Sequence, residues 1–590
     1  MNSNNSAIRL PAASASLSPT LWAERLDTHR QAQLARASSG LSPVSMQLAW
    51  QDWTAHLANS PGKQLALAQL AGTQAMALAG YAYQRLLAAP QRAQALVEPP
   101  TLDRRFADPA WRQWPFWLWQ QSFLQTQQWW DAATHGVRGV EPHHETLVAF
   151  WARQWLDVLS PGNQLLTNPL VLQRTADQHG FNLLRGLQHL MQDLRQATTG
   201  AAPPSDFVVG RDVAATPGKV VLRNRVMELI QYAPATATVH PEPVLLVPAW
   251  IMKYYILDLS PHNSLVKYLV DHGHTVFCIS WKNPGAGERD LGMDDYLRDG
   301  FQAALDAAHA IGGQHKVHAT GYCLGGTLLA IAAAAMVRDG DDRLASLSFF
   351  AAQTDFSEPG ELGLFIDESQ VSLLEAQMEE KGYLTARQMA GAFQMLRSYD
   401  LLWSRLVHDY LLGERSSPND LMAWNADATR MPARMHSQYL RRLFLHDDLS
   451  EGRYPVDGQP VSLGSLALPT FMVGTVTDHV APWRSVHKLH YLSPAEITFA
   501  LTSGGHNAGI VNPPGPQSRR HYQLLTRPAG GAYRAPDDWL AAAPQHAGSW
   551  WPAWQQWLAA RSGAPGKLPR IGTHRYRPLA DAPGSYVLEQ

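Results

Sequence analysis

Gly321-Tyr322-Cys323-Leu324-Gly325-Gly326 decides how this chain is read. It has the form G-x-S-x-G, the turn that holds a nucleophile between a strand and a helix, with a thiol in place of the serine hydroxyl. The flanks fit: Lys316-Val317-His318-Ala319-Thr320 reads as a short buried strand, and Thr327-Leu328-Leu329-Ala330-Ile331 with the alanine run after it reads as a helix. Glycines at 321 and 325 allow a tight turn, and the first N–H groups of the helix favour negative charge on the sulfur. The competing reading is a buried structural thiol in a Gly-rich turn, since free cysteine often serves as a small apolar core residue.

Two downstream segments weigh against that reading. An acid candidate, Asp478, lies in Val473-Gly474-Thr475-Val476-Thr477-Asp478-His479-Val480-Ala481-Pro482-Trp483, just past the strand-like run from Thr470 to Val473. A base candidate, His506, lies in Gly504-Gly505-His506-Asn507-Ala508-Gly509, just past the strand-like run from Ile497 to Leu501. Nucleophile, acid and histidine in that order, each after a strand, is the arrangement of α/β-hydrolases. Asp478 could instead cap its turn. His506 is one of 24 histidines, and its neighbour in role, His479, competes for the base. The glycine-flanked loop after the last strand favours His506.

Outward from these segments the chain has two textures. From about residue 206 short apolar runs alternate with helical stretches: Val244 to Val247, Thr275 to Ser280, Lys316 to Thr320, Leu347 to Phe350, and the two already named. This implies an α/β fold, a mostly parallel sheet with helices on both faces. Between about 355 and 454 the strand rhythm stops and helical sequence takes over, as a cap over the site would require. Residues 21–205 read as a helical N-terminal domain, closed by the small residues and paired prolines of Ala201-Ala202-Pro203-Pro204-Ser205, and residues 1–20 read as a disordered tail. Trp550 to Trp557 reads as a last sheet-packing helix. The N-terminal domain is rich in tryptophan, at 111, 114, 117, 119, 129, 130, 151 and 155. Those rings suit either helix packing or an apolar docking surface.

Composition bounds the function. At 590 residues, 45% hydrophobic and 17% charged, the chain is a globular protein long enough for two or more cores. A formal charge of −2 argues against a nucleic-acid partner. Two cysteines, Cys278 and Cys323, leave no disulfide framework and point to a reducing compartment. The first residues lack the basic head and apolar core of a secretory signal. No run of about eighteen apolar residues is uninterrupted, so no spanning helix is expected.

The elbow, with Lys253-Tyr254-Tyr255-Ile256-Leu257-Asp258-Leu259, Ser280-Trp281-Lys282-Asn283-Pro284, Asp478 to Trp483, Gly505 to Gly509, Ser160-Pro161-Gly162-Asn163 and Gly548-Ser549-Trp550-Trp551-Pro552, resembles the polyhydroxyalkanoate synthases from about residue 80 onward. Length and the helical N-terminal part are most similar to the single-polypeptide type that favours short-chain units, called class I. The resemblance implies polymerisation of (R)-3-hydroxyacyl-CoA, 3-hydroxybutyryl-CoA above all, into polyester with release of CoA. Cys323 would carry the acyl group, His506 would be its base and Asp478 the third member. Met252 stands where asparagine commonly precedes Lys-Tyr-Tyr, and Asn507 replaces a commoner aliphatic residue, but no catalytic group is missing.

By analogy with the fold, the oxyanion donors are the backbone N–H of Leu324 and one in Pro248-Ala249-Trp250-Ile251, with Ile251 the candidate. Arg397, in the cap, is a candidate for a CoA phosphate or an acidic neighbour. The resemblance further implies no cofactor and no metal, CoA being the leaving group. It also implies a homodimer, and a cytoplasmic enzyme gathered on polyester inclusions, with the N-terminal domain as the granule contact. A Cys-dependent thioesterase or intracellular depolymerase would share the triad but admit water, and a non-catalytic granule coat would not need it. Asp478 could orient His506 or help it deprotonate the incoming hydroxyl.

Overall fold

A computed structural model describes residues 19–38, 40–88, 94–100, 103–199, 206–396, 402–415, 417–516 and 519–590. Seven helices fill the first part: α1 (Pro19–Ala37), α2 (Pro43–Ala58), α3 (Pro61–Tyr83), α4 (Phe116–Thr134), α5 (Pro142–Leu159), α6 (Pro169–Asp177) and α7 (Phe181–Thr199). Helix α1 begins two residues inside the expected tail. Residues 1–18 and the expected boundary at 201–205 lie outside the described residues.

The rest is built on one eleven-stranded sheet. Its strands are β1 (Gly218–Arg223), β2 (Met227–Tyr232), β3 (Val244–Val247), β4 (Val276–Trp281), β5 (Val317–Tyr322), β6 (Leu344–Phe350), β7 (Thr470–Thr475), β8 (Ile497–Thr502), β9 (His521–Arg527), β10 (Gln545–Ala547) and β11 (Ala580–Asp581). They lie in the order β10-β9-β8-β7-β6-β5-β3-β4-β2-β1-β11. The six neighbours from β8 to β4 pair in parallel, and the strands outside them pair antiparallel. Those six are the apolar runs of the sequence. Both faces are covered, so every residue in these strands except Ala345 is buried and the pattern is continuous rather than alternating. On β3, Leu245 and Val247 face the core shared with helix α8 (Leu324–Asp339), whereas Val244 and Leu246 face Leu265 to Val270 and the tryptophans near the C-terminal end. There Trp550, Trp551 and Trp554 are buried.

Between β6 and β7 runs the helical insertion, with α9 (Glu368–Lys381), α10 (Ala386–Leu396), α11 (Asp420–Ala426) and α12 (Ala433–Tyr439). A two-residue strand pair, Tyr383–Leu384 against Met431–Pro432, ties its halves together. The insertion is fixed to the loop after β3: Trp424 Nε1 donates to Lys253 O at 2.7 Å, Thr429 Oγ1 to Trp250 O at 3.0 Å, and the Tyr255 hydroxyl to Asp427 at 2.9 Å. The Lys-Tyr-Tyr segment is therefore a cap anchor.

The N-terminal helices pack on this insertion. Ser42 N donates to Gln370 Oε1 at 2.8 Å, and Gln370 Nε2 returns to Gly40 O at 2.6 Å. Asn182 Nδ2 donates to Leu411 O at 2.8 Å, and the Tyr410 hydroxyl to Asp193 at 2.7 Å. The tryptophans divide between both readings: Trp111 and Trp117 are buried, whereas Trp114 and Trp155 are exposed.

Candidate active site

Cys323 is the turn residue between β5 and α8, with φ 52° and ψ −126°. A side chain held at positive φ is strained, and this strain lifts the sulfur above the sheet at the entrance of α8. The glycines beside it act differently from the sequence expectation. Gly321 and Gly325 have no positive φ; they supply room. A Cβ on Gly325 would sit 2.0 Å from Val247 O, and one on Gly321 would sit 2.3 Å from the Cα of Gly326. The elbow closes only because backbone packs directly on backbone.

Asp478 follows β7 in a turn that fills its carboxylate with donors. Thr475 Oγ1 donates to Oδ2 at 3.0 Å, and Val480 N and Ala481 N each donate to Oδ1 at 2.9 Å. His506 follows β8, and its loop is pinned to the acid loop by Thr477 N donating to Gly504 O at 3.0 Å. Its Nδ1 lies 2.8 Å from Asp478 Oδ2, and the other edge of the ring reaches Cys323. The structure thus brings together three residues separated by 155 and 28 positions (478 − 323 and 506 − 478).

Electrostatics follow from that contact. The Asp478 side chain is fully buried and that of His506 only 10% exposed. Burial alone would raise the Asp478 pKa, but the His506 ring and the Ala481 and Val480 amides outweigh it and hold it below the ordinary carboxylate value. Burial alone would strip the proton from His506, but Asp478 and Cys323 on either side hold its pKa well above the usual histidine value. The other thiol, Cys278, is buried in β4, where burial pushes its pKa well up and leaves it inert.

Above Cys323 a cavity of about 830 Å³ is roofed by the insertion. Its buried lining is mostly apolar, with Ile251, Leu324, Phe356, Met431 and Tyr439 together with the half-buried Phe444, and adds the polar Thr327, Gln353 and His436. Both oxyanion candidates, Leu324 and Ile251, therefore share the cavity of Cys323. Leu324 opens α8, so its N–H has no acceptor within the helix. Among the other candidates, His479 is not one of the cavity-lining residues; its carbonyl accepts from Glu361 N at 3.3 Å. Arg397 lies outside the described residues.

Tyr439, His436 and Tyr322 were not singled out from the sequence. Tyr439 and His436 reach the cavity from α12. The Tyr322 hydroxyl donates to Asn507 Oδ1 at 2.6 Å, joining the elbow strand to the base loop. Nothing in the local sequence marks them, because their place is set by how the cap and loops fold onto the sheet.

Comparison with known proteins gives the family. Residues 102–269 match the family model described as the N-terminus of poly-beta-hydroxybutyrate polymerase (PhaC), residues 22–63 match that of the polymerase N-terminal segment, and residues 242–513 match the alpha/beta hydrolase fold. The poly(3-hydroxyalkanoate) polymerase of Methylorubrum extorquens is 42% identical over 84% of this chain and 82% of its own length. The poly(3-hydroxyalkanoate) polymerase subunit of Cupriavidus necator is 37% identical over 89% of both chains. An elbow thiol joined to a buried His–Asp pair, on a chain similar to these enzymes over most of its length, makes this an acyltransferase of the poly(3-hydroxyalkanoate) polymerase family.

Proposed function

We propose that the enzyme polymerises short-chain (R)-3-hydroxyacyl-CoA, 3-hydroxybutyryl-CoA in the first instance, through an acyl thioester on Cys323. The observation that carries this reading is the Cys323–His506–Asp478 constellation, with Cys323 lining a capped and mostly apolar cavity. Cys323 Sγ attacks the carbonyl carbon of the substrate, the Leu324 and Ile251 N–H groups hold the oxyanion, and the C–S bond to CoA breaks as His506 protonates the departing thiol. One thioester has replaced another, so little free energy is lost. The 3-hydroxyl of another unit then attacks the enzyme thioester, its proton passes to His506, and an oxoester forms as the Cys323 sulfur is released. That step is downhill and drives chain growth. The balance needs no further cofactor.

The Nδ1 hydrogen bond supports an orienting role for Asp478: it fixes the ring so that Nε2 meets the thiol. The mostly apolar lining supports exclusion of water near Cys323, which would otherwise turn the enzyme into the thioesterase or depolymerase of the same fold.

An insoluble product gathers the enzyme at its surface. Helix α7 is the proposed contact, because it turns Phe181, Leu184, Leu187, Met191 and Leu194 to solvent on one face. The homodimer implied by the family resemblance is proposed on that basis alone.

Incubating the protein and its Cys323→Ala variant with 3-hydroxybutyryl-CoA, and measuring both thiol release and extractable polymer, tests the reading. Polymer and thiol that both vanish in the variant are expected. Thiol with only soluble hydroxy acid would establish the thioesterase alternative instead.

A further inference from the structure

The cavity above Cys323 is chemically polarised. Its buried lining is mostly apolar, but its outer lining carries three cations, Arg36, Lys381 and Arg387, and no Asp or Glu side chain among the described residues. All three are exposed, whereas Cys323 is half-buried, so the cations stand at the mouth and the nucleophile deeper in.

They come from three elements that converge there: the end of α1, the end of α9 and the start of α10. Arg36 crosses from α1 to α9 and forms an ion pair with Glu380. Arg387 makes no ion pair among the described residues. Helix α10 adds a fixed dipole. Thr385 N donates to Gln388 Oε1 at 2.9 Å and Gln388 N to Thr385 Oγ1 at 3.3 Å, a reciprocal cap that starts the helix at the cavity lining. The Ala386 and Arg387 amides, in its first turn, have no acceptor within the helix. Cations, a helix N-terminus and unpaired amides favour a dianionic, multiply accepting group. The lining also contributes Gln377, whose buried Oε1 has no hydrogen-bond partner among the described residues and suits an uncharged amide-bearing chain.

We propose that Arg36, Lys381 and Arg387, with the first turn of α10, hold the phosphate groups of the CoA thioester while its pantetheine arm runs down the cavity to Cys323. This rests on the acyl-transfer reading for the identity of the thioester. It also gives the N-terminal helices a part in substrate binding, since α1 supplies Arg36.

The test compares CoA with pantetheine, which lacks the adenosine and all of the phosphates, and uses salt and charge-removing variants to single out the phosphate contribution. Calorimetric titration of the intact protein with CoA and with pantetheine is expected to show CoA binding at least about tenfold tighter, an advantage that shrinks as salt is raised. In the Lys381→Gln/Arg387→Gln double variant that advantage falls to about threefold or less while pantetheine affinity stays the same, which also shows that the cavity is folded. Arg36→Gln is the second variant, expected to lose part of the advantage. Equal affinity of the wild-type protein for both ligands, or a double variant that keeps full discrimination, overturns the site. Polymer formation is scored separately: absence of polymer with intact discrimination for CoA would sink the polymerase reading and leave the phosphate site standing.

Discussion

Helices α7 and α8, of 19 and 16 residues, stand at opposite extremes of the same physics. Helix α8 buries almost its whole surface, from Leu324 to Met336, between the sheet and its neighbours. Helix α7 does the reverse of an ordinary surface helix: its polar side faces the cap, where His189 Nδ1 lies 2.9 Å from Asp409 O and Arg415 reaches Asp193 at 2.8 Å, while its apolar side faces water. Phe181 is 61% exposed and Leu184 56%. Burial is complete where the helix after the elbow packs inside the chain's own core, and incomplete on α7, the face proposed above as the contact with a hydrophobic body.

The contrast breaks most sharply at the catalytic end. Asp478→Asn is expected to lower turnover by about a thousandfold, because the ring of His506 loses its orientation and its counter-charge. The same variant should alter the pH dependence of stability. Asp478 has a depressed pKa, so its contribution is full above about pH 4 and drains as pH falls through its lower folded value. His506 has a raised pKa, so its contribution is full below about pH 6.5 and is lost as pH climbs through its higher folded value. The gap in denaturation midpoint between wild type and variant should therefore be widest from about pH 4 to 6.5. A gap that is flat with pH would refute the buried ion pair.

Next comes Gly325→Ala, which forces a methyl against Val247 O and should cost about 3 kcal/mol or more in urea unfolding, with activity lost alongside. An alanine tolerated there would mean that the elbow is looser than its geometry. The smallest effect on the fold is expected on α7. Replacing Leu184, Leu187 and Met191 with glutamine should change stability by only about 0.5 kcal/mol per site, leave turnover of a soluble thioester intact, and abolish sedimentation with polyester particles. Particle binding that survives would remove α7 from the interface.

Legibility follows the same division. All six parallel strands are visible as apolar runs, but the five antiparallel ones are not. Strand β2 shows why: it is wholly buried yet carries Glu228 and Gln231. Glu228 accepts from Ser585 N at 2.9 Å and Tyr586 N at 3.0 Å, and Gln231 accepts from Gly572 N at 2.8 Å. Partners more than 300 positions away make a buried polar strand affordable, and no local window contains them. Tryptophan density before and along α4 and α5 likewise says little about docking, since Trp111 and Trp117 are packed inside while Trp114 and Trp155 are exposed, and the apolar stripe of five exposed side chains lies on α7, which has no tryptophan.

By itself the sequence determined the α/β core and the elbow, and it pointed to Cys323, Asp478 and His506, which the structure brings together, because each depends on a short segment: an apolar run, a glycine where backbones touch, a polar residue just past a strand. Only the tertiary structure decided that the N-terminal helices rest on the cap, that Arg36 meets Lys381 and Arg387 at one cavity mouth, and that Tyr322 holds Asn507. Those are contacts between surfaces of different elements, fixed by packing over long separations, which composition and periodicity do not encode.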